Sequence, residues 1–295
     1  MFIGANLILN DLTLSILDVA PQIEDHGLES MFLGEHTHTP VLSDFPAMPD
    51  GSIPEFYKRF PDPFVQLAGA AAVTKRVRIG TGVALVVDRD PLSLAKCVAS
   101  IDQLSQGRFE FGVGYGWNPL EMINHGVDPA RRRAVFREKL DAIRALLIEE
   151  TASFDGEFVH FTKSWSYPKP LQRPTPPILV GAAARASTFE DVIERATGWY
   201  PLVDENLVEQ VTRLRALAEE AGRPRPSVTA VEMSGQRIGD PWYFEDAETG
   251  QALTEMALRF AEHGVDRFSV GIPADTTERL ERALAALAAL VAKVA

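Results

Sequence analysis

The sequence predicts a (β/α)8 TIM barrel, and three observations carry that prediction. Strand-like and helix-like segments alternate from end to end, eight of each. The strand segments are apolar runs without polar–apolar alternation, as in strands covered on both faces. Several dissolve into small residues at their C-terminal ends, where a barrel of parallel strands places its ligands. The 295 residues suit one domain over 1–295. The competitor is a doubly wound open sheet, but no GxGxxG follows the first strand, where a dinucleotide-binding fold would place it.

The expected strands run, in order, from Phe2 to Leu9, Ser30 to Gly34, Val77 to Val86, Phe109 to Val113, Ile178 to Gly181, Gly198 to Leu202, Val228 to Glu232 and Arg267 to Gly271. Helices are expected between them and after the last. They run from Thr13 to His26, Pro63 to Thr74, Pro91 to Ser105, Arg131 to Glu149, Ser187 to Thr197, Asn206 to Ala221, Gly250 to His263 and Thr276 to Val294. Asp62-Pro63 and Asp90-Pro91 each place a capping carboxylate before a proline at the first helical position. His263-Gly264 and Ala221-Gly222 read as helix ends. Two long insertions, 37–61 and 152–177, are expected to form loops at the C-terminal face of the strands and to shape a pocket. The second contains FDGEFVHF, read as a small hairpin.

Charge and composition narrow the function. A net charge of −12 argues against nucleic acid as a partner. No apolar run approaches the roughly 18 residues of a membrane span. One cysteine, Cys97, rules out an internal disulfide and fits a reducing compartment. The opening MFIGANLIL lacks a basic leader, so a cytoplasmic location is expected.

Three strand ends carry the candidate chemistry. The second ends in Gly34-Glu35-His36-Thr37-His38, which supplies an imidazole that titrates near neutral pH and a carboxylate beside it. Strand neighbours point to opposite faces, so Glu35 and His36 need not touch. The histidines lack metal-ligand spacing, and no metal is expected. The third strand reads RIGTGVAL, whose two glycines suggest a bulge or close ligand contact. The fourth, within SQGRFEFGVGYGWN, ends in Gly114-Tyr115-Gly116-Trp117-Asn118, a lip that a flat ligand can approach. The fifth ends in Gly181-Ala182-Ala183-Ala184-Arg185 ahead of a helix, a turn suited to phosphate. Phe45, Phe56, Tyr57, Phe60 and Trp165 populate the two insertions.

Together GEH at 34–36, RIGTGVALVVDRDPLSLAKCVASIDQLSQGRFEFGVGYGWN at 78–118 and FDGEFVHF with KPLQRPTPPILVGAA at 154–183 resemble the bacterial luciferase-like oxidoreductases. The resemblance covers most of residues 28 to 202. It implies a barrel that binds a flavin or the deazaflavin F420 at the strand C-termini. It implies that Gly82-Val83 form a non-prolyl cis peptide behind the cofactor ring. His36 then matches the active-site histidine, and Glu35 the acidic residue before it. Gly114, Tyr115 and Asn118 match the lip that meets the ring and tail, and Gly181, Ala182 and Ala183 the phosphate turn. Tyr115 stands where many FMN-using relatives carry arginine, which favours F420. The resemblance thus implies an F420-dependent oxidoreductase acting on a small-molecule substrate. The alternatives are an FMN-dependent monooxygenase fed by a separate flavin reductase, and a non-catalytic flavin-binding subunit. A homodimer is also implied.

Overall fold

The computed structural model describes residues 1–45, 51–233 and 247–294. Eight parallel strands close a ring: β1 (Phe2–Leu7), β2 (Ser30–Leu33), β3 (Arg78–Thr81), β4 (Phe109–Gly114), β5 (Ile178–Val180), β6 (Gly198–Trp199), β7 (Ser227–Glu232) and β8 (Arg267–Gly271). Neighbours in sequence pair around the ring, β8 pairs with β1, and β3 pairs with β4, so the (β/α)8 barrel is complete. The interior positions of β2, β4, β5 and β8 are buried along their whole lengths. That accounts for the unalternating apolar runs.

Eight helices cover the ring: α1 (Ile16–Asp25), α2 (Pro63–Val73), α3 (Pro91–Leu104), α4 (Arg132–Ile148), α5 (Ala186–Arg195), α6 (Leu207–Glu220), α7 (Ala247–Glu262) and α8 (Thr277–Val294). The caps work as the sequence implies. Asp62 accepts from the amides of Phe64 and Val65, and Asp90 from that of Ser93. Pro63 and Pro91 follow them at positions whose missing N–H costs nothing. Gly222 and Gly264 take positive φ after α6 and before β8. The hairpin in the second insertion forms as Thr151–Asp155 paired with His160–Trp165.

Three details depart from the expected elements. The apolar run from Val77 to Val86 does not form one strand. It breaks at Gly82-Val83, a cis peptide, and resumes as Ala84–Leu85, which pairs with the end of β4. β6 stops at Trp199, because Pro201 carries no N–H to extend the ladder, and Leu202 makes only an isolated bridge to Val231. A short helix, Pro119–Asn124, follows β4 where none was read.

The N-terminal mouth of the barrel is closed by ions. Arg267 donates to both oxygens of Glu110 at 2.8 and 2.9 Å and to both of Glu29 at 2.7 and 2.9 Å. Arg78 pairs with the same Glu110. These residues lie at or next to the starts of β8, β4, β2 and β3, so the opposite mouth is left for ligands. Among the described residues, no helix is long and apolar enough to cross a membrane.

Candidate active site at the C-terminal mouth

His36 follows β2 and is nearly buried, with 8% of its side chain exposed. Its Nδ1 lies 2.7 Å from Oε2 of Glu121. The indole Nε1–H of Trp117 donates to its Nε2 at 3.1 Å. An indole nitrogen only donates, so Nε2 carries a lone pair and the ring proton sits on Nδ1, facing the carboxylate. His36 is therefore neutral here and Glu121 ionised. Burial pushes the Glu121 carboxyl up, but His36 and the amides of Thr37 and His38 outweigh it and hold it below the usual range.

Aromatic rings surround the imidazole. Tyr57, Phe60 and Trp117 have centroids 5.1, 5.2 and 5.6 Å from that of His36. Phe45 packs on Tyr57 at 4.5 Å and on Trp117 at 5.5 Å. The first insertion thus supplies a wall of the site, although its residues 46–50 lie outside the described residues. Trp165, in the second insertion, stays largely exposed.

Glu35 has different company. Its Oε2 accepts from the Leu85 amide at 2.7 Å and its Oε1 from Nε of Arg89 at 2.5 Å. Burial raises its pKa, against the pull of Arg89. Glu35 thus ties β2 to the segment after the cis peptide, while the carboxylate on His36 comes from Glu121. Glu121 was not singled out from the sequence. Asn118-Pro119-Leu120-Glu121 reads as a helix start with an acid in its first turn, and nothing in that pattern shows the acid to be buried. Nearby, Asp88 is buried with Oδ1 lacking a hydrogen-bond partner among the described residues. Burial, with Glu121 and Glu35 close by and Lys139 opposing, pushes it up to about 7.

The glycine lip comes together around Val83. A Cβ at Gly114 would stand 2.6 Å from Cγ2 of Val83, and one at Gly181 2.6 Å from its Cγ1. Any larger residue at either place would displace Val83, so Gly82-Val83, Gly114 and Gly181 form one surface. Asn118 is 2% exposed. It caps the short helix through the Leu120 amide and donates to Oγ of Ser43 at 2.8 Å, which anchors the first insertion. The Ala182 carbonyl is held by the Trp199 indole at 2.8 Å. Ala183 and Arg185 lead into α5, whose first amides have no side-chain cap. Tyr115 donates to Asp191 at 2.7 Å, and the Arg133 guanidinium lies 4.9 Å from the centre of its ring. Arg133 also reaches Asp191 and Ser187, which places a cation beside the uncapped helix end.

These residues fit a flavin or deazaflavin. A lip without side chains suits a flat ring, and an uncapped helix start beside an arginine suits a phosphate tail.

Comparison with known proteins agrees with this architecture. The family model described as luciferase-like monooxygenase matches residues 14–234. An uncharacterised protein of Mycobacterium tuberculosis (strain ATCC 25618 / H37Rv) is 38% identical over 300 residues, covering 99% of this chain and 100% of that one. The oxygenase component of a flavin-dependent trigonelline monooxygenase of Acinetobacter baylyi is 37% identical over 124 residues, 41% of this chain and 34% of that protein. The solved structure of an F420-dependent secondary alcohol dehydrogenase with an F420–acetone adduct superposes with a TM-score of 0.78 at 16% identity, covering 100% of this chain and 99% of that one.

Proposed function

Because the chain belongs to the luciferase-like monooxygenase family, and is an enzyme of that kind, we propose that it is an F420-dependent oxidoreductase. It passes a hydride between C5 of the deazaflavin and a small alcohol or its carbonyl partner. The observation that carries this reading is the pair of hydrogen bonds at His36, from the Trp117 indole to Nε2 and between Nδ1 and Glu121. Oxidising an alcohol leaves one proton for each hydride removed. His36 meets that need, with a lone pair on Nε2 inside an aromatic cage and Glu121 on the other nitrogen to stabilise an imidazolium.

The cofactor would supply the hydride chemistry, and the protein binding, orientation and proton handling. Gly114, Gly181 and Val83 would carry the ring. Ala182, Ala183, the start of α5 and Arg133 would hold the phosphate. A substrate hydroxyl reaching Nε2 takes the place of the Trp117 N–H, and the surrounding rings exclude water. Tyr115, in place of an arginine, supports F420 over FMN, as does a site organised around one proton.

The second reading is an FMN-dependent monooxygenase supplied with reduced flavin by a separate reductase. The likeness to the trigonelline monooxygenase component favours it. Fluorescence titration of the purified protein with F420 and with FMN separates the two. We expect F420 to bind at least about tenfold more tightly, a gap of about 1.4 kcal/mol. The reverse order makes the FMN enzyme the better reading. Binding of neither by folded protein points to a non-catalytic subunit.

A further inference from the structure

The bond from His36 to Glu121 is the first link of a longer chain. The second oxygen of Glu121, Oε1, accepts from the Thr37 amide at 2.9 Å and lies 3.3 Å from the Thr37 hydroxyl. That hydroxyl is also 2.7 Å from Nε2 of His125 and 2.9 Å from Nδ1 of His38. Asn124 donates to Nε2 of His38 at 2.8 Å, so His38 carries its proton on Nδ1 and gives it to Thr37. One hydroxyl proton and one lone pair then remain to serve Glu121 and His125. Two arrangements satisfy both. In one, Thr37 donates to Glu121 and His125 donates to Thr37. In the other, a protonated Glu121 donates to Thr37, and Thr37 donates to His125. They differ by one proton moved from Glu121 to His125. His36 and Glu121 are buried, whereas Thr37, His38 and His125 are exposed.

We propose that Glu121, Thr37 and His125 form a relay that carries protons between His36 and the surface. It rests on the redox reading above and extends it. In alcohol oxidation the bound cofactor would accept the hydride as the substrate C–H bond breaks, and His36 takes the hydroxyl proton on Nε2. With the cage filled, the imidazolium loses its Nδ1 proton to Oε2 of Glu121. Rotation about Cγ–Cδ brings that proton to Thr37. Exposed His125 exchanges with water to the tautomer that bears its proton on Nδ1, so its Nε2 takes the Thr37 proton and its Nδ1 releases one to water. When product leaves, one proton entering at Nδ1 of His36 and one leaving Nε2 to water restore the first tautomer. The groups facing Glu121 are His36, Thr37 and Asp88. Those whose charge acts on His125 are His38, Glu121, Lys139 and Arg89. Burial and His38 lower the His125 pKa, which favours release to solvent. Thr37, His38 and His125 position and pass protons without touching substrate.

The test follows exchange of the His36 Nδ1 proton with water by NMR, on the chain without cofactor, above pH about 7, where a free histidine is neutral. Thr37→Val removes the hydroxyl, fills its space with a methyl and keeps the amide bond to Glu121. Exchange should slow by about a hundredfold or more, the lower end of what a positioned proton-transfer group contributes. Thr37→Ser, which retains the hydroxyl, should exchange at the native rate, and His125→Phe should behave like Thr37→Val. With F420 and an alcohol, proton release to an indicator dye should lag cofactor reduction in Thr37→Val but not in Thr37→Ser. Slowed exchange without any F420 reduction leaves the relay standing and overturns the redox reading. Equal exchange in the native, Val and Ser proteins overturns the relay, whether or not F420 is reduced.

Discussion

His36 is defined by two bonds, one from Trp117 and one to Glu121, and each constrains the other. The indole fixes the lone pair on Nε2, and the carboxylate holds the proton on Nδ1. Replacing His36 by alanine should lower turnover by about 10²–10⁴, the usual share of a general acid or base. Cofactor affinity should stay within a few-fold, and unchanged kcat would remove His36 from the chemistry. Asp88 carries a different prediction. Its pKa is raised from 3.8 to about 7, so the folded state holds a proton that the unfolded chain has released. That contribution is complete below the unfolded value and is lost as pH rises through the folded one. Asp88→Asn should therefore melt higher than the native protein at pH 8, by about 2–4 °C for each kcal/mol recovered. The gain should vanish near pH 4, and a gain independent of pH would show that Asp88 does not titrate in that window. Histidine after a strand end was legible in the sequence as a candidate. Its carboxylate partner was not, because Glu121 lies 85 residues away and looks like any acid in a first helical turn.

Among the elements, the regular ones were the most readable. Caps at Asp62 and Asp90, prolines after them and long apolar periods fix α2 and α3 from sequence alone. The irregular elements around the site were harder. Pro119–Asn124 spans 6 residues, too few to show a helical period. RIGTGVAL suggested a bulge, but the sequence could not reveal that Val83 would then press on two other strand ends. That contact gives the element-level prediction. Gly114→Ala places a methyl against Val83, which must shift. We expect a stability loss of about 1–3 kcal/mol from overpacking and weaker cofactor binding. Pairing it with Val83→Ala should recover much of the stability. Calorimetry on the single and double variants checks this, and additive losses would mean that the two residues do not meet.

For the molecule as a whole, alternation of eight strand–helix pairs was enough to specify the barrel. What closes its lower end was not, since Glu29, Arg78, Glu110 and Arg267 are ordinary surface types scattered along the chain. Glu110 is the centre of that cluster. Burial alone would raise its pKa, but Arg267 and Arg78 together bring it below the ordinary value of 4.5. A depressed carboxylate adds stability above its unfolded pKa and loses it as pH falls through the folded value. Glu110→Gln should destabilise the protein by about 3–5 kcal/mol at neutral pH, because two arginines lose their buried partner. The difference from the native protein should shrink as pH falls below about 4.5, where the unfolded chain begins to take up the proton that folded Glu110 still refuses. Urea titrations at both pH values check it, and a constant difference would contradict the assignment.

The ionic floor also governs traffic. With the barrel interior packed and its base ion-paired, a bound cofactor and a substrate would both come and go at the opposite mouth, past the aromatic side chains around His36. Whichever lay deeper would then enter first and leave last. While the mouth is filled, the proton given up during turnover would leave through a threonine and a histidine at the rim.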